Sequence, residues 1–168
     1  MGQAPLMLES SDLAAETREA AAIFLQARLS DALDLRAQLR HAAWNVRGAD
    51  MLTLGALFGR FAVEIEGCAD RLAERIRCLG DVADGRIQTV ADATTLYEYT
   101  VGVDGPEAHL NAIGAALSQF ARAARADVER ATDSETIDLL GGVARSAGRQ
   151  AWLVGELLAS EPSRKAPD

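Results

Sequence analysis

Apolar residues return every three or four positions along four stretches of this chain, and the stretches end at residues that helices propagate poorly. The clearest is residues 51–79, where Leu54, Leu57, Phe58, Phe61, Ile65, Cys68, Leu72, Ile76 and Leu79 follow this step throughout, the spacing of one buried helix face. Gly80 then serves as a stop. Upstream, a helix is predicted from about Asp12 to Trp44, with Leu25, Leu29 and Leu33 on one face, ending at Asn45–Gly48. Downstream, Leu110, Ile113, Leu117, Phe120 and Ala124 mark a third helix. A fourth begins near Ser134 and carries Ile137, Leu140, Ala144, Ala147, Ala151, Val154 and Leu158. Asp104-Gly105-Pro106-Glu107 reads as a capping box for the third helix.

Residues 81–104 form a connection too long for a hairpin, with a short helix expected around Thr94–Tyr99. Such a crossover joins non-adjacent helices of a bundle. The prediction is an all-α four-helix bundle over residues 12–160, with flexible segments at 1–11 and 161–168. Gly141, Gly148 and Gly155 recur every seven residues beside the last stripe. Each weakens a helix by about 1 kcal/mol relative to alanine, so a neighbouring helix is expected to approach closely there.

Composition supports helices: apolar residues make up 49% and aromatics 5% of 168 residues. A chain of this size buries a core as one domain without disulfides. The formal charge is −8, and among 17 lysines and arginines only Lys165 is a lysine. The N-terminal segment sets Glu9, Asp12, Glu16 and Glu19 against Arg18, and the tail sets Arg164 and Lys165 beside Glu161 and Asp168. Direct binding to a phosphate backbone is therefore expected to be weak. No run reaches the roughly 18 apolar residues of a membrane span, and a cytoplasmic location is expected. Cys68 and Cys78, about 15 Å apart along one helix, are too distant to bridge and are expected to be reduced, buried thiols.

Ala43-Trp44-Asn45-Val46-Arg47-Gly48, followed by Asp70-Arg71-Leu72-Ala73-Glu74-Arg75 and Leu79-Gly80, resembles the signature of the Dps-type mini-ferritins over roughly residues 15–160. In that family a His-Trp-Asn segment ends one helix and an Asp-x-x-x-Glu pair on the next supplies carboxylates to iron. The resemblance implies a ferritin-like bundle, a homo-oligomer that is a dodecamer built from twofold dimers, and a metal site at the twofold interface. One subunit would give Asp70 and Glu74. The facing subunit would give two histidines and an aspartate, and the matching positions here are Ala43, Gly55 and Gly59. All three ligands are missing.

The residues alone say that Asp70 and Glu74 lie about 40° apart on one face, near enough to share a cation. They sit two positions either side of Leu72, about 200° from the core, and so point outward. Glu66 extends the ladder and is the replacement ligand to consider. Taken without the resemblance, the ladder is a solvated face laced to Arg71, Arg75 and Arg77. His41 stands two residues from the expected ligand position and faces elsewhere, and His109 has no carboxylate partner by spacing, so both are structural. Trp44, near the site, and Trp152 are expected to pack. Asp133, Glu135 and Asp138 compensate the dipole at the start of the last helix; the resemblance makes Asp133 and Asp138 pore candidates.

Iron(II) oxidation needs ligands from both sides of the interface, and carboxylates alone make a weak, water-rich site. The resemblance therefore implies iron sequestration and protection of DNA from iron and peroxide, with the ferroxidase centre largely lost. Two alternatives stay open. One is a ferroxidase that uses replacement ligands, and the other is a non-catalytic subunit that completes its site with a paralogous Dps subunit.

Overall fold

The computed structural model describes residues 13–160, so the terminal segments at 1–11 and 161–168 lie outside the described residues. Helices α1 (Ala15–Asn45), α2 (Met51–Cys78), α4 (Pro106–Arg130) and α5 (Ser134–Ser160) form an antiparallel bundle, and α3 (Ile87–Ala93) rides on the crossover. α1 pairs with α2 and α4 with α5, while α1–α4 and α2–α5 contacts close the bundle. The periodic positions supply the core. Leu25, Leu35 and Leu39 of α1, Phe58, Phe61, Ile65, Leu72 and Ile76 of α2, and Leu110, Ile113, Leu117 and Phe120 of α4 are all fully buried. From α5, Leu140, Val143, Ala147 and Val154 complete it.

Several local expectations are corrected. The crossover helix lies at Ile87–Ala93, while Thr94–Tyr99 is not helical. Thr95 instead spends its backbone N–H and hydroxyl on the buried Asp31 carboxylate. The capping box does not form: α4 begins after Gly105, whose φ of +80° is left-handed, and no side chain caps that end. Such backbone suits glycine, which explains why the cap position passes from Asp104 to its neighbour. The glycines of α5 do not admit a helix backbone. A Cβ on Gly148 would meet the Arg125 guanidinium and one on Gly155 would meet nothing within 4 Å, whereas the tight α4–α5 approach is at Gly114, against Val154.

Four polar side chains of α1, Gln26, Asp31, Asp34 and Gln38, hold the crossover along its length, Asp34 by accepting from the Thr94 hydroxyl. Gln26 donates to the Asp84 carbonyl and accepts from the Asp84 N–H. Asp31 receives the Thr95 groups, and Gln38 donates to the Tyr97 carbonyl. Asp31 is also paired at 3.2 Å with Arg28, which lies 3.4 Å from Asp127 on α4. Burial pushes the Asp127 carboxyl up against the pull of Arg28 and Arg130. Asp31→Ala leaves the buried Arg28 with Asp127 as its one remaining ion-pair partner among the described residues and frees Thr95, and is expected to destabilise the protein by about 3 kcal/mol. Urea denaturation checks it, and a change under 1 kcal/mol contradicts this role.

Candidate metal centre

The outward face of α2 is as its spacing predicts. Asp70 and Glu74 are exposed on either side of the fully buried Leu72. Among the described residues neither carboxylate makes a salt bridge or a side-chain hydrogen bond. The lacing to arginines is not found. Arg71 donates to the Cys68 thiol sulfur, Arg77 to the Asp81 carbonyl, and Arg75 turns inward to Asp133. Glu66 pairs at 2.9 Å with Arg36 of α1 in a half-exposed bridge, an interaction of small energy that a cation could displace.

The three positions matched to missing ligands sit at the α1–α2 hairpin. A Cβ on Gly55 would lie 3.3 Å from the Ala43 carbonyl oxygen, so the end of α1 and the start of α2 meet there, and a Cβ on Gly59 would meet nothing within 4 Å. Gly59 and Asp70 share a face of α2 but are about 16 Å apart along its axis. One chain therefore cannot bring the two halves of such a site together. Among the described residues no three His, Cys, Asp or Glu side chains converge as a cation site.

The acidic start of α5 divides in two. Asp133 is buried: it accepts from the Thr136 N–H and from Arg75, both at 2.8 Å, and so caps the helix. Burial raises its carboxyl pKa, but the Thr136 hydrogen bonds and Arg75 outweigh it, leaving the group below its usual range. Asp138 is exposed. Of the two pore candidates, only Asp138 thus offers a carboxylate to solvent. Trp44 and Trp152 do not pack within the chain, being 71% and 60% exposed; Arg40 lies over the Trp44 ring. Cys68 is buried, and burial pushes its thiol up, but Cys78 is exposed, contrary to expectation, because it falls on the outward side of the last turn of α2.

Neither histidine faces the acidic ladder. Both meet at the far end of the crossover, where His109 is buried and its Nδ1 lies 2.6 Å from the Tyr99 hydroxyl. Sequence spacing gave no sign of this, since Tyr99 belongs to a segment read as helix. The described residues include no helix long and apolar enough to cross a membrane.

Residues 24–162 match the ferritin-like domain model. The chain is 26% identical to the DNA protection during starvation protein of Agrobacterium fabrum, over 86% of this chain and 91% of that one. It is 30% identical to the protein of the same name from Mycolicibacterium smegmatis, over 77% and 72%. Among solved structures, DpsC from Streptomyces coelicolor superposes with a TM-score of 0.85 at 29% identity, covering 98% of this chain and 95% of that one. With the bundle, its single long crossover and the outward Asp70–Glu74 pair, these similarities establish that the chain belongs to the ferritin-like family as a Dps-type mini-ferritin.

Proposed function

We propose that this chain is a shell subunit that gathers ferrous iron, holds it as ferric mineral and thereby protects DNA from iron and peroxide, with its inter-subunit ferroxidase site reduced to one half. The observation that carries this is a pair of exposed, uncommitted carboxylates, Asp70 and Glu74, in a chain whose positions matched to the facing ligands, Ala43, Gly55 and Gly59, carry no side-chain donor. A site of carboxylates and water holds a divalent cation weakly and places no imidazole on it. Oxidation is then slow at the interface and proceeds on mineral. The cage is a homo-oligomer of twofold dimers, a dodecamer in its closed form. Asp138 is the carboxylate available to attract iron at a pore. The relatives' names support the protective role. DNA is shielded chemically, because a chain of net charge −8 has little attraction for it.

The test loads apo-protein with ferrous iron and peroxide without oxygen, follows ferric absorbance, and measures iron retained after gel filtration. Retained iron with oxidation only slightly above buffer is expected. Asp70→Asn with Glu74→Gln should lower early ferrous binding several-fold and leave the secondary structure unchanged. No retained iron would remove the storage role.

The intact carboxylate half favours one second reading, in which the subunit completes its site against a paralogous Dps subunit that still carries the histidine half. Co-expression should then yield mixed shells with oxidation faster than either alone. Exclusively homomeric shells would exclude it.

A further inference from the structure

Both histidines of the chain converge on one phenol. Tyr99 lies edge-on to His41 of α1, ring centroids 5.1 Å apart, and stacks at 6.1 Å with His109 of α4. Its hydroxyl is 2.6 Å from His109 Nδ1. His109 is 1% exposed, and its Nε2 is buried beside the Asn45 backbone without a hydrogen bond of good geometry. Burial lowers the His109 pKa from 6.5, an effect deepened by His41 and opposed by the Asn45 backbone and Asp104. Burial also pushes the Tyr99 phenol up to about 12. At neutral pH both groups are neutral, and the His109 tautomer with its proton on Nε2 offers Nδ1 to the Tyr99 phenol as acceptor.

We propose that Tyr99 and His109 form a proton-coupled electron donor for one-electron oxidants of the oxygen-radical class. The oxidant takes one electron from Tyr99 as the phenol proton crosses to His109 Nδ1. A neutral tyrosyl radical and an imidazolium remain, and a hydroxyl radical, for example, leaves as hydroxide. The phenol cannot ionise first, because its pKa is too high. Without an adjacent base its oxidation would also leave a cation in a half-buried setting, which is costly.

The surroundings suit the transfer. The Asn45 backbone at the C-terminal end of α1 and the Asp104 carboxylate both favour imidazolium. A cavity of about 280 Å³ is lined on one side by His109 and His41, the two rings that contact Tyr99, together with Asn45, Arg47, Val103 and Asp104, and has room for a small oxidant within electron-transfer reach of the phenol. Arg47 and His41 are the groups there that oppose a cation. The chain's other tyrosine, Tyr97, is 70% exposed. Its described hydrogen bonds run through its backbone, to Gln38 and Gln119, so its phenol has no such base. The pair depends on none of the residues assigned to iron, and its test stands apart from the storage reading.

The experiment uses iron-free protein carrying Tyr97→Phe, which leaves Tyr99 the sole tyrosine, with azide radicals from pulse radiolysis as the probe oxidant. A tyrosyl signal in absorbance and electron paramagnetic resonance is expected, with formation slower in D2O than in H2O. Its rate should fall on acidification below pH 6.5, as His109 takes up a proton and ceases to be an acceptor. His109→Gln, which keeps a polar group but no base, should slow formation at least about tenfold and flatten the pH profile. A radical confined to Trp44 and Trp152 would overturn the proposal. So would a Tyr99 radical whose rate ignores both pH and deuterium, and these arms hold even if the His109 variant does not fold.

Discussion

Introducing Ala43→His and Gly59→Asp together should raise the rate of ferrous oxidation on the order of a hundredfold. Loss of even an outer partner of a metal ligand costs about 10- to 100-fold in affinity or activity, and here two direct ligands would be gained. Space allows it. Gly59 faces nothing within 4 Å, and aspartate in a helix is better tolerated than glycine. Gly55→His is the harder addition, because its Cβ would press on the Ala43 carbonyl oxygen at 3.3 Å. The triple variant should therefore give the fastest oxidation and the lowest stability of the set. Asp70→Asn and Glu74→Gln in the restored background should return the rate to that of the starting protein. Stopped-flow ferric absorbance on shells of verified size decides it. An unchanged rate would mean that these positions do not face the carboxylates.

Arg75→Ala should destabilise the protein by about 3–5 kcal/mol. Arg75 is a buried side chain of α2 that binds three groups at the start of α5: the carboxylate of Asp133, just before the helix, and the Glu135 carboxylate and Thr136 hydroxyl within it. Asp133 Oδ2 has no hydrogen-bond partner even with Arg75 in place, and removing Arg75 leaves the buried carboxylate with only the Thr136 N–H on its Oδ1, so the penalty comes mostly from the stranded anion. A second substitution, Asp133→Asn, should recover part of the loss. The same pair sets a pH dependence. Because the folded Asp133 pKa lies below the ordinary 3.8, its contribution is full above that value and is lost as pH falls through the folded pKa. Denaturation midpoints measured at pH 7 and across the acid range should show a loss in the parent that is smaller in Arg75→Ala. An Arg75→Ala loss below 1 kcal/mol would contradict the clamp.

The four long helices were legible because each buries a stripe that repeats with the helical period. The crossover helix was not, because Ile87–Ala93 buries no residue and so leaves no period to read. Thr94–Tyr99 misled for the opposite reason: Leu96 is buried and Tyr99 half-buried, yet the segment is held straight by Asp31 and Gln119 from distant helices. Polar residues inside the bundle, Arg28, Asp31 and Asp127, were also invisible, since besides their local i,i+3 partners they are held by groups remote in sequence, Arg28 by Asp127 and Asp31 by Thr95. At the candidate centre, spacing placed Asp70 and Glu74 correctly on the outer face. It could not show that Asp133 is consumed as a cap, because that depends on Arg75 arriving from another helix.

The crossover's attachment also orders the folding of the chain. Residues 46–50 alone join α1 to α2, and residues 131–133 alone join α4 to α5, so each hairpin closes a short loop and can form early. The polar grips on the crossover span 58 to 64 positions, and they gain nothing until both hairpins have docked. Pulse-labelled amides should accordingly become protected first within the paired helices and last at Asp84 and Thr95.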